Sequence, residues 1–144
     1  MRFVFAVLFT LFALASPLHA QDVSRPGAAA EPVWQQTVSG QIEAFRTGDG
    51  ATALLLAGAS FKSTFSDPDQ FYAAIVASGY GPLVLSRSHS FGSFEQLDDG
   101  TVLQLVDLVG PDGKLYQAVY QMREEAEGWR VQGVTMQQQQ GVSI

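Results

Sequence analysis

At Pro82 the hydrophobic period of the chain changes, and this limits the fold more than any other feature. Before it, Trp34, Val38, Ile42 and Phe45 recur at spacings of four, four and three, the signature of one buried helix face. After it, Leu83, Leu85, Arg87, His89 and Phe91 alternate with Val84, Ser86, Ser88, Ser90 and Gly92, the two-residue repeat of a strand. Helices therefore come first and strands second.

Local signals divide each half. Pro32 suits the first turn of the opening helix and Gly48 its exit. Asp49-Gly50 turns the chain, and residues 51–59, nearly all apolar, form a second short buried helix. Residues 61–65 read as irregular. Ser66-Asp67-Pro68-Asp69 then opens a third helix: a capping side chain, a proline pre-set for the first turn, and acid at the positive helix end. That helix carries Phe71, Ile75 and Val76 inward and stops at Gly79, before a turn at Tyr80-Gly81-Pro82. Beyond the first strand, Asp98-Asp99-Gly100 marks a hairpin, followed by strands at 101–109, 114–123 and 129–137. Tyr116, Ala118, Tyr120 and Met122 share one face of the third. Short links make neighbouring strands antiparallel. The expected fold is α+β, with three N-terminal helices packed on a curved four-stranded antiparallel sheet, a cone whose open end is a pocket.

Composition excludes several functions. Eight basic residues face 14 acidic ones, a net charge of -6, so no surface for nucleic acid is expected. Without cysteine there is no disulfide framework, thiol nucleophile or lipidated terminus. Two histidines, His19 and His89, are too few for a histidine-rich metal site, and no metal or cofactor is expected.

Arg2, an apolar run over 3–15 broken only by Thr10, then Ser16-Pro17 and Ala20 follow the layout of a secretory signal peptide. The run is too short to cross a bilayer, which takes about 20 apolar residues. Residues 1–20 are expected to be cleaved after Ala20, leaving a periplasmic or secreted protein with no membrane segment. Residues 21–32 read as a flexible lead-in, 33–137 as one domain and 138–144 as a frayed tail. Cleavage removes His19 and leaves His89 as the sole imidazole.

Ile42-Glu43-Ala44-Phe45, Tyr80-Gly81-Pro82, Arg87-Ser88-His89-Ser90-Phe91-Gly92, Asp112-Gly113, Ala118-Val119-Tyr120 and Gly128-Trp129-Arg130-Val131-Gln132-Gly133 follow one another in a recognisable order. In this order, over about residues 34–136, the chain resembles domain of unknown function 4864, a family of exported bacterial proteins. The resemblance implies the nuclear transport factor 2-like cone fold, whose members include ketosteroid isomerases, dehydratases and non-enzymatic modules. It implies no activity.

Strand phase nominates the site residues. Arg87 and His89 share the side of Leu83, Leu85 and Phe91; facing the interior, the imidazole would be a general base and the guanidinium an anion clamp. Against this stand a hydrogen-bonded structural pair near the sheet edge and the opposite strand phase, with both side chains in water. Asp107 follows the phase of Leu103 and Leu105, so it too is a candidate for the interior, where with Tyr120 or Tyr116 it would imitate the carboxyl and tyrosine of the cone-fold isomerases; the favoured reading is a hairpin-end residue or a partner of Arg87. Trp129 either packs across strands against Tyr120 or stacks on a ligand. The candidate ligand-binding set is thus Arg87, His89, Tyr120 and Trp129, and the candidate catalytic set His89, Asp107 and Tyr120. The expected function is a non-catalytic exported module that binds a small apolar molecule or another protein. The alternative is a cofactor-free isomerase, lyase or hydrolase. Cone folds commonly dimerise through the outer sheet face, here expected to offer Val102, Val106 and Leu108.

Overall fold

The computed structural model describes residues 31–139; the signal-peptide reading, nearly all of the lead-in and residues 140–144 lie outside them. Helix α1 (Val33–Arg46) buries Trp34, Val38, Ile42 and Phe45, the stripe that its spacing requires. Each such side chain contributes roughly 1.5–3 kcal/mol on burial. The helix exits through Gly48, whose φ of 70° suits a residue without a Cβ.

Helix α2 (Gly50–Leu55) starts on Asp49, whose carboxylate accepts from the Thr52 N–H. It is shorter than its apolar run suggests, because the backbone after it pairs with a strand: Val131 N–H donates to Leu56 O, and Gly58 N–H donates to Val131 O. A segment bonded to a strand cannot also extend a helix. The stretch expected to be irregular coils instead into α3 (Ala59–Thr64), which sets Phe61 against Phe71.

Asp67 caps α4 (Pro68–Ile75) as expected, accepting from the Asp69 N–H with Pro68 in the first turn. The chain then widens into a π-helical turn (Val76–Tyr80), in which Gly79 takes φ 90°, and re-forms a short helix α5 (Gly81–Val84). Here the strand reading fails. Leu83 and Val84 are both buried while Leu85 is 56% exposed, so neighbours rather than alternate residues face the core. Pro82, compatible with a first helical turn, starts α5 instead of ending helical structure. More than three helical segments therefore precede the sheet.

Strands β1 (Ser88–Gln96), β2 (Val102–Val109), β3 (Leu115–Glu125) and β4 (Gly128–Gln138) form an antiparallel sheet in the order β1-β2-β3-β4. β4 runs one residue into the stretch read as tail, and Gln139 N–H still donates to Leu115 O. Val102, Gln104, Val106 and Leu108 face the helices, as do Ala118, Tyr120 and Met122. Among the described residues no helix is long and apolar enough to cross a membrane.

Gln104 is fully buried between sheet and α1. Its Oε1 accepts from Trp34 Nε1 (2.9 Å) and Gln35 Nε2 (3.2 Å), and its amide donates to Gly92 O (3.0 Å). Such satisfaction is what lets a polar group sit in a core.

Candidate functional site

A cavity of about 350 Å³ lies between the helices and β4. Phe45 enters it from α1, Phe61 from α3, Phe71 and Ala74 from α4, Tyr80 from the π-helical turn and Val134 from β4. Phe71 is the hub: its ring centroid lies 6.1 Å from Phe45, 6.0 Å from Phe61 and 5.5 Å from Phe65. The three polar side chains of the lining donate to backbone carbonyls. Tyr80 Oη donates to Val134 O (2.6 Å), Ser78 Oγ to Ala74 O (2.7 Å) and Gln41 Nε2 to Ala53 O (3.0 Å). Among the described residues the lining holds no carboxylate, imidazole, ammonium or guanidinium.

His89 lies elsewhere, at the seam between α1 and β1. Its side does face inward as the strand phase predicts, and it is half-buried, with Phe91 edge-on at 5.6 Å. Arg46 Nη2 donates to Nδ1 (3.3 Å), which makes Nε2 the protonated nitrogen, donating to Ser39 Oγ (2.9 Å). The same guanidinium donates to Ser86 Oγ and reaches Glu43 at 3.4 Å. Desolvation, and then the adjacent Arg46 cation, hold the imidazole below its ordinary pKa. A serine–histidine pair used for nucleophilic attack needs an acceptor on the second ring nitrogen to stabilise the imidazolium. Here a cation occupies that position, and the cluster acts as a clasp between helix and strand.

The other nominated residues do not join His89. Arg87 is exposed and points away from the interior, Nη2 donating to Pro111 O (2.7 Å) across the turn that follows β2. It precedes β1, so the phase argument does not reach it. Asp107 lies on the outer sheet face, its Oδ1 3.4 Å from Gln117 Nε2 and from Gln139 Nε2. An unpaired carboxylate is costly to bury, and β2 turns this residue outward. The same rotation puts Val102, Val106 and Leu108 in the core rather than on the outer face. Tyr120 is sealed in the core at 0% exposure and does not line the cavity. Its hydroxyl has no hydrogen-bond partner among the described residues, and burial pushes its pKa up. Tyr116 donates to Asp112 rather than meeting Asp107. Trp129 packs on Trp34 at 5.3 Å, not on Tyr120, which lies opposite Val134.

Two groups escaped the sequence reading. Ser39 and Arg46 are seven apart, two helical turns, which places both on one face of α1. The cavity phenylalanines at 61 and 65 precede the inward-facing Phe71 in the densest aromatic run after the N-terminal segment, but residues 61–65 carry no helix start.

A family model described as a domain of unknown function, DUF4864, matches residues 28–144, and the chain belongs to that family. No curated protein and no solved structure matches it.

Proposed function

We propose that this DUF4864 member is an exported, non-catalytic module that holds a small apolar molecule in the cavity between its helices and β4. One observation carries the reading. The cavity is lined by aromatic and aliphatic groups, and its few polar side chains are already bonded to the backbone. General acid–base chemistry needs a titratable group within reach of the substrate, and among the described residues the lining supplies only the Tyr80 hydroxyl, donated to Val134 O. The catalytic alternative rested on His89, Asp107 and Tyr120 meeting in one cavity, and these lie at the seam, on the outer face and in the core. A cone-like enclosure of the nuclear transport factor 2 type, with the helices closing over one sheet face, fits the same arrangement.

Thermal shift against a panel of neutral hydrophobic compounds tests the reading. At a hundredfold excess over Kd a ligand adds about 2.7 kcal/mol of stability, a rise of several degrees in Tm. Ala74→Phe, which fills the cavity from α4, is expected to abolish the shift while the variant stays folded. A shift that survives the substitution refutes the site.

Export predicts a mature chain that begins at Gln21, read by intact mass of the protein recovered from outside the cytoplasm. Self-association through the outer sheet face is part of the same reading, now through Leu103, Leu105, Val109, Leu115 and Val119. A dimer is expected in light scattering, and a monomer at high concentration removes that part.

A further inference from the structure

We infer that the cavity selects an uncharged, compact ring compound carrying one hydrogen-bond donor, and that Gln41 is the residue that reads the donor. This rests on the ligand-binding reading above and narrows it to a chemical class.

Charge is the first filter. Among the described residues none that lines the cavity is ionic, and a carboxylate or sulfonate buried there would lose its hydration without gaining a counter-ion. A ligand whose charge would have to sit inside the cavity is excluded on that ground. Shape is the second. At about 350 Å³ the cavity sits at the small end of ligand sites. The rings of Phe45, Phe61 and Phe65 surround Phe71 at 5.5–6.1 Å centroid distances, stacked or edge-on. Two or three linked or fused rings match that surface by offset and edge-to-face contacts, whereas a long chain does not.

Polarity is the third filter. Gln41 is 3% exposed and lines the cavity. Its carboxamide orientation follows from Ala53 O at 3.0 Å, which requires the nitrogen on that side. The opposite end, Oε1, is an acceptor with no donor among the described residues, while the Tyr80 and Ser78 hydroxyl protons are committed. An open acceptor on a nearly buried side chain favours a ligand N–H or O–H over the analogue without it.

A matched probe series tests this on the purified chain. N-Phenyl-1-naphthylamine is neutral with one N–H; 1-naphthyl phenyl ether replaces that N–H by oxygen; 8-anilino-1-naphthalenesulfonate adds an anion to the same rings. Calorimetry and probe fluorescence are expected to rank the amine first, with the ether and the sulfonate each about tenfold weaker or more. In Gln41→Leu the amine and the ether are expected to bind alike. The wild-type ranking stands as the test even where that variant folds poorly. Equal binding of ether and amine, or of sulfonate and amine, with all of it lost in Ala74→Phe, overturns the class and leaves the site intact. No binding by any probe, or binding that Ala74→Phe leaves undiminished, overturns the site itself.

Discussion

The cavity and the His89 clasp use different faces of the same helix. Gln41 and Phe45 serve the first, Ser39 and Arg46 the second. In the cavity, polar side chains are bonded to backbone carbonyls at Ala53, Ala74 and Val134, so what faces the empty space is almost entirely hydrocarbon. At the clasp, side chains bond to one another, with a cation against the neutral edge of an imidazole. The first arrangement makes an inert container. The second makes a fastener whose strength depends on protonation. The sole imidazole of the proposed mature chain is thus chemically conspicuous without being near the cavity.

The sharpest attack on this contrast is Phe71→Ala. Phe71 is 2% exposed and touches three other aromatic rings, and its truncation is expected to cost about 3–5 kcal/mol in urea unfolding with an unchanged m value. A loss under about 2 kcal/mol would mean that the cavity wall is loosely packed and carries no shape selection. Tyr80→Phe removes the bond to Val134 O that ties the π-helical turn to β4, and is expected to cost about 0.5–1.5 kcal/mol. No change would show that this wall is not held by that bond.

The clasp has its own signature. Its folded-state imidazole pKa lies below the ordinary value of 6.5, so between the two values the unfolded chain binds the proton more readily. Stability is therefore complete above the unfolded value and falls as pH drops through the window beneath it. Arg46 and Glu43 are the charged groups facing the ring, the first lowering its pKa and the second raising it. His89→Gln is expected to flatten that segment of the stability–pH curve, and Arg46→Met to raise the His89 pKa in an NMR titration. An unchanged His89 pKa in Arg46→Met would dissolve the contrast with the cavity.

The smallest effect is expected at Tyr120. Its buried hydroxyl has no partner among the described residues, so Tyr120→Phe should change stability by no more than about 0.5 kcal/mol, in either direction. A loss of 1 kcal/mol or more, on the scale of a real hydrogen bond, would reveal an internal water held there.

Much of the fold was legible because its signals are local. The α1 stripe, the Asp67-Pro68 opening of α4, the hairpin at Asp98-Asp99-Gly100 and the shared face of Ala118, Tyr120 and Met122 each follow from a few neighbouring residues. The site was barely legible. Gln41, Ala74 and Val134 are unremarkable in sequence and come together only when α1, α4 and β4 meet. Arg87 and Asp107 attracted notice through charge, which is the property that kept both at the surface.

Strand β2 shows where sequence stops and tertiary structure takes over. Alternation along 102–109 establishes a strand with two faces, yet both are largely apolar: Val102, Val106 and Leu108 with Gln104, against Leu103, Leu105 and Val109 with Asp107. Period alone defines the faces without choosing between them. The choice came from partners distant in sequence, since Trp34 and Gln35 satisfy Gln104 inside while Asp107 keeps its charge outside. Likewise the apolar run after Gly50 asked for a longer helix, and pairing of Leu56 and Gly58 with Val131 ended it. Local chemistry determined which elements form and where most of them start. Long-range packing decided which face is the core and where the cavity lies, because burial depends on what each side chain meets rather than on what precedes it in the chain.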